Sequence, residues 1–115
     1  MIKNKISTQE ISYIYCVIAR LSDKWSCSVI IMLGESGCMR FNEIYRSIRG
    51  ISQKMLTKCL KRLEANGIVE RRAYPTIPPK VEYELTDLGK EILPLLDSIS
   101  EWAQLYAKDV WRGCG

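Results

Sequence analysis

Apolar residues recur at helical spacing from the first turn of the chain: Ile11, Ile14, Tyr15, Ile18 and Leu21 follow one another three or four residues apart. Ser7-Thr-Gln-Glu10 precedes them in the form of a capping box, in which Glu10 reaches back to the Ser7 amide. A first helix is therefore predicted to run to about Leu21. Ser22-Asp23 breaks the pattern, and Asp23 suits the cap of a second helix from Lys24 to about Glu35. Its apolar positions are Trp25, Val29, Ile30, Met32 and Leu33, with Trp25 taken as a core anchor rather than a base-stacking ring. Gly37 ends that helix, and Cys38-Met39-Arg40 is short enough for a single edge strand. Phe41, Ile44, Tyr45 and Ile48 then share one face of a third helix of two turns.

A tight turn at Gly50-Ile51 leads into the most informative stretch. Ser52 is a good N-cap and Gly67 suits the left-handed residue that ends a helix. Between them Leu56, Leu60 and Leu63 fall on one side with Cys59, while Lys54, Lys58 and Lys61 fall on the other. From Ser52 to Arg62 there are four basic side chains and no acid, so the outward face has nothing of its own to pair with. Such a helix suits a nucleic-acid groove. Two helices joined by a short turn containing glycine form a helix-turn-helix unit.

After Gly67 the period changes from 3.6 to 2. Ile68 to Tyr74 and Lys80 to Leu85 are strand-like, the second alternating Val81, Tyr83 and Leu85 with Lys80, Glu82 and Glu84. Pro75-Thr-Ile-Pro-Pro79 joins them as a stiff connection that cannot pair its tip with another strand. Such a hairpin serves as a wing along a nucleic-acid backbone, with Arg72 and Lys80 at its base. Thr86 is the next N-cap, and a long helix follows with Leu88, Ile92, Leu95, Leu96, Ile99, Trp102, Ala103, Tyr106 and Val110 as its apolar stripe and Pro94 as a potential kink. At about 25 residues it is longer than a core of this size can cover. The first and last helices are left over once the central module is assembled, which predicts a two-fold homodimer through Ile11, Ile14, Tyr15, Ile18, Ile99, Trp102, Tyr106 and Val110.

The order of elements predicts a mainly α fold with a small β-hairpin (α+β), a winged helix-turn-helix with extra N- and C-terminal helices for dimerisation. The 115 residues fit one domain. Within it, 1–22 and 95–115 supply dimerisation helices, 41–67 the helix-turn-helix and 68–85 the wing. Charge sharpens the partner. The net charge is +4, but residues 36–85 hold ten basic and five acidic groups whereas residues 86–115 hold three and five. A polyanion should therefore meet the middle of the chain. The longest apolar run, Val29 to Leu33, is far short of a membrane span, and the N-terminus does not resemble a signal peptide, so a cytoplasmic location is expected and no membrane partner.

Five cysteines without a CxxC pair, and no histidine, exclude a histidine-based zinc site and leave no metal-ligand spacing. Cys27 and Cys59 sit among apolar residues as small buried hydrophobes, while Cys16, Cys38 and Cys114 stay open. No nucleophile elbow or phosphate-binding glycine loop is present, and an enzyme is not expected; nor is a cofactor.

At this point the residues resemble a known family. Lys24-Trp25, Arg40-Phe41-Asn-Glu-Ile, Gly50-Ile-Ser-Gln-Lys-Met-Leu-Thr, Leu63-Glu-Ala-Asn-Gly-Ile-Val-Glu-Arg, the segment Tyr74 to Thr86 with its Pro-Pro-Lys-Val-Glu-Tyr, and Gly89 are similar to the HxlR family of bacterial and archaeal transcriptional regulators. The resemblance covers about residues 12–105. It implies a homodimer on double-stranded DNA, with Ser52, Gln53, Lys54, Thr57 and Lys58 on the reading helix and Arg40 at the start of the supporting helix. Lys61 and Arg62, late in the helix, suit phosphate better than bases, and Arg72, Thr76 and Lys80 belong to the wing. Half-sites of a pseudo-palindrome would lie about one helical turn apart. Where the family often carries a sensing cysteine, this chain has Ser12 followed by Tyr13. Cys16 lies one turn later, which admits a displaced thiol switch, with Arg20 as the group able to lower its pKa, or a buried thiol without that role. A winged helix used only for protein contact is the remaining alternative, and an uncharged outward face on the Ser52–Asn66 helix would be its mark.

Overall fold

The computed structural model describes residues 6–21 and 23–110, the side chains of 107–110 excepted. Five helices and three strands follow in the order α1 (Thr8–Leu21), α2 (Lys24–Ser36), β1 (Cys38–Arg40), α3 (Phe41–Ser47), α4 (Gln53–Ala65), β2 (Val69–Tyr74), β3 (Lys80–Leu85) and α5 (Asp87–Val110). The expected winged helix-turn-helix order is observed. The expected edge strand pairs with the wing, so the sheet has three antiparallel strands in the order β1-β3-β2. Cys38 faces Glu84 and Arg40 faces Glu82 across one ladder, and Val69 faces Leu85 and Tyr74 faces Lys80 across the other.

The core is the apolar side of α2, α3, α4 and the inner end of the sheet. Val29, Ile30, Leu33, Ile44, Leu56, Leu60 and Leu63 are almost wholly removed from solvent, and Met39, Ile48, Ile51, Val69 and Leu85 close its edges. Trp25 packs against this cluster as the anchor expected of it. Local signals set the helix ends. The Asp23 carboxylate accepts from the Ser26 amide at 2.8 Å, and the Ser52 hydroxyl accepts from the Met55 amide at 3.1 Å. At the far end of α4, Gly67 takes φ +75° and the Ile68 amide donates to the Leu63 carbonyl at 2.9 Å, closing the last carbonyls of the helix.

The outer helices behave differently. α1 buries none of its residues. α5 continues through Pro94 as one helix of 24 residues and meets the core through Ile92, Leu93 and Leu96. Gly34 in α2 sits against Leu93, close enough that a Cβ would lie 2.8 Å from its methyl carbons. Beyond Leu96, Ile99, Trp102, Leu105 and Tyr106 are exposed. The Trp102 and Tyr106 rings meet at a tilt of 41° with centroids 5.3 Å apart. The Val110 side chain, Trp111 and Cys114 lie outside the described residues. No helix among the described residues is long and apolar enough to cross a membrane.

Candidate nucleic-acid interface

Helix α4 divides as its sequence requires. Leu56, Cys59, Leu60 and Leu63 are buried, while Ser52, Gln53, Lys54, Thr57, Lys58 and Lys61 are exposed. Lys54, Lys58 and Lys61 take part in no ion pair among the described residues. The Thr57 hydroxyl donates to the Gln53 carbonyl at 2.8 Å. Gln53 stands in the first turn, at the end where a reading helix reaches base edges.

Arg62 corrects the expectation that this face is unpaired throughout. Its guanidinium is ion-paired with Asp23 from α2 and donates to the Ser26 hydroxyl at 3.0 Å. Burial pushes the Asp23 carboxyl up, but the Ser26 hydroxyl and amide and the Arg62 charge outweigh it and hold the group below its usual value. The sequence could not pair residues 23 and 62, because the contact is between two helices.

The wing carries charge on one face. Alternation puts Glu70, Arg72, Tyr74, Lys80, Glu82 and Glu84 on the same side of the β2–β3 hairpin. Arg72 is ion-paired with Glu84 and lies 3.3 Å from Glu70, and Lys80 lies 3.5 Å from Glu82 and over the Tyr74 ring. Both basic groups named at the wing base thus have carboxylate partners within the sheet. At the tip, the Thr76 hydroxyl donates to the Pro78 carbonyl at 2.8 Å, and Ile77 is fully exposed.

Two basic residues outside the expected set share this surface. Arg71 lies on the opposite strand face from Arg72, beside Thr57, Lys61 and Glu64 of α4 in a shallow depression also lined by Phe41 and Tyr83. Period-2 alternation after Gly67 is the signal that separates it from Arg72. Arg46 lies with Arg40, Asn42 and Glu43 around another depression at α3, one turn after Asn42. The Arg40 amide donates to Glu43 Oε1 at 2.9 Å, so Arg40 opens α3 as expected.

Cys16 is exposed on α1, so a buried thiol does not describe it in this chain. Arg20 Nη1 donates to the Cys16 backbone carbonyl at 3.1 Å rather than to the thiol. Cys59 is buried and Cys27 partly so, and burial raises both thiols above their usual pKa. Cys38 is exposed at the sheet edge and is also raised, by partial burial and the nearby Glu82. Of the residues expected at a dimer interface, Ile11, Ile14, Tyr15, Ile18, Ile99, Trp102 and Tyr106 are exposed apolar groups on α1 and α5.

Comparison with known proteins agrees with this architecture. The family model of the HxlR-like helix-turn-helix matches residues 20–110. An uncharacterised HTH-type transcriptional regulator of Methanothermobacter thermautotrophicus is 43% identical over 89 residues, covering 77% of this chain and 67% of the relative. A MarR-family transcriptional regulator structure from Enterococcus faecalis superposes with a TM-score of 0.80 at 31% identity, over 96% of this chain and 99% of that one. The redox regulator HypR in its reduced form superposes with a TM-score of 0.74 at 36% identity, over 86% and 96%. With the winged helix-turn-helix architecture and the match over most of its length, the chain belongs to the HxlR-like helix-turn-helix family of transcriptional regulators.

Proposed function

We propose that this regulator acts as a homodimer that places α4 of each subunit in a major groove of a pseudo-palindromic operator, with the Pro75–Pro79 wing along the backbone. The observation that carries this reading is the exposed row Lys54, Lys58 and Lys61, without carboxylate partners among the described residues, opposite a fully apolar face. Gln53 and Lys54 supply amide and ammonium donors for base edges, and Ser52, Thr57 and Lys58 flank them. Lys61, Arg40, Thr76 and Lys80 serve the phosphates, and Arg46 and Arg71 join them on position and charge. Arg72 contributes to the wing with its guanidinium already shared by two glutamates. The exposed apolar strips of α1 and distal α5 support self-association, because a face of this extent in water favours a partner. Selection of bound duplexes from a random pool tests the proposal. It should yield inverted half-sites about one helical turn apart, and an unstructured pool would refute it.

Exposure of Cys16, together with the likeness to HypR, supports a second reading, in which the thiol on α1 switches DNA binding. Mass spectrometry after diamide treatment should then find Cys16 in a disulfide, with loss of operator binding. A reduced Cys16 under those conditions removes the idea.

A further inference from the structure

Ser26 is the one buried polar side chain among the described residues, with no exposure to solvent. Its hydroxyl donates to Asp23 Oδ2 at 2.7 Å and accepts from Arg62 Nη2 at 3.0 Å. Arg62 reaches Asp23 Oδ2 as well, and Cys59 Sγ, three residues earlier on α4, lies 3.7 Å from the same hydroxyl. The first turn of α2 and the last turns of α4 are thus joined by directional bonds in addition to packing. A buried hydroxyl is costly unless its bonds are made, so Ser26 favours the one arrangement that brings Arg62 to it. Apolar contacts between two helices tolerate small slides and rotations, whereas hydrogen bonds weaken steeply off their geometry. Lys54, Lys58 and Arg62 follow at four-residue intervals along one side of α4, so fixing the last of them fixes the direction of the other two.

We infer that Arg62 is a positioning residue rather than a phosphate contact: held by Asp23 and Ser26, it sets the rotation and depth at which α4 presents Gln53, Lys54 and Lys58. The inference rests on α4 being the reading helix. It also assigns Asp23 and Ser26, which lie outside the expected DNA surface, a part in DNA affinity.

The test uses the full chain and the duplex selected from the random pool, with affinity measured by fluorescence anisotropy at several salt concentrations. The variants are Arg62→Gln, Asp23→Ser, which keeps a capping hydroxyl, the two combined, and Lys54→Ala/Lys58→Ala, each checked for folding by circular dichroism. Each single change should weaken binding about tenfold, and the combination should be no weaker than either, because both remove one unit. The slope of log K against log salt should stay that of the wild type. A phosphate contact would instead flatten the slope by about 0.9 in Arg62→Gln and leave Asp23→Ser at wild-type affinity or tighter, which overturns the inference. Additive losses overturn it too. Should Arg62→Gln fail to fold, Asp23→Asn, an equally good cap without the charge, should show the same weaker binding at an unchanged slope. If Lys54→Ala/Lys58→Ala alone weakens binding, only the positioning role fails; if that variant also binds normally, the assignment of α4 fails with it.

Discussion

Gly89 lies so close to Ile68 that a Cβ at residue 89 would stand 2.3 Å from the Ile68 carbonyl oxygen. The contact belongs to a knot between the end of α4 and the start of α5. The Thr86 hydroxyl donates to the Gly67 carbonyl at 2.6 Å and accepts from the Gly89 amide at 3.0 Å, while the Thr86 amide donates to the Ile68 carbonyl at 3.0 Å. Backbone on backbone leaves no flexible group to yield. Gly89→Ala should therefore destabilise the fold by about 2–4 kcal/mol in urea unfolding. Thr86→Val, which removes the cap on the Gly89 amide and the hydroxyl's bond to the Gly67 carbonyl but adds no clash, should cost about 1–2 kcal/mol. Equal, small effects for both would contradict the close approach.

The basic row on α4 makes a prediction about salt. Replacing Lys54 and Lys58 by alanine should weaken operator binding and reduce the magnitude of the slope of log K against log salt by up to about 0.9 for each lysine that meets a phosphate. Lysines that meet base edges would instead lower affinity at the selected sequence more than at a random one. No change in either quantity would remove both residues from the interface.

Asp23 makes a prediction about acid. Its carboxyl titrates below its unfolded value, so its contribution is present in full above about pH 5 and is lost as pH falls through the unfolded and then the folded value. With side chains 49% and 35% exposed, the Arg62–Asp23 pair contributes no more than about 1 kcal/mol. The stability gap between wild type and Asp23→Asn should therefore shrink between about pH 5 and pH 3 in urea titrations. A gap independent of pH would show that the charge of Asp23 is not what matters.

The apolar strips on α1 and α5 make a prediction about assembly. Ile14 and Ile99 are 48% and 62% exposed, so a lysine at either position leaves the core of the single chain untouched. Ile14→Lys and Ile99→Lys should shift sedimentation from dimer to monomer and weaken operator binding, since each half-site then binds alone. A monomeric wild type at micromolar concentration would refute the homodimer.

Much of this molecule was legible as a string. The Ser52 cap, the leucine spacing of α4 and the glycine at its end are local matters, set by orphan amides, side-chain period and backbone freedom, and they appear where the chain placed them. The period-2 stretches after Gly67 became the hairpin for the same reason, and the match to a family's residues extended the order of elements to nearly the whole chain. What could not be read were contacts between elements distant in sequence. Arg62 looked like a free cation because Asp23 is 39 residues away and belongs to another helix. Arg72 and Arg71 are adjacent letters, yet one is spent on Glu84 of the neighbouring strand and Glu70 of its own, and the other stands beside α4.

The sequence by itself determined the kinds of element, their order and the sidedness of α4, because each depends on interactions within a few residues. Only the tertiary structure decided which charges remain free for a partner, because an ion pair depends on where two chains of backbone cross. It also decided that the end of α4 is held from two sides, by Asp23 and Ser26 through Arg62 and by Arg20 of α1, whose Nε donates to the Asn66 side-chain Oδ1 at 3.3 Å.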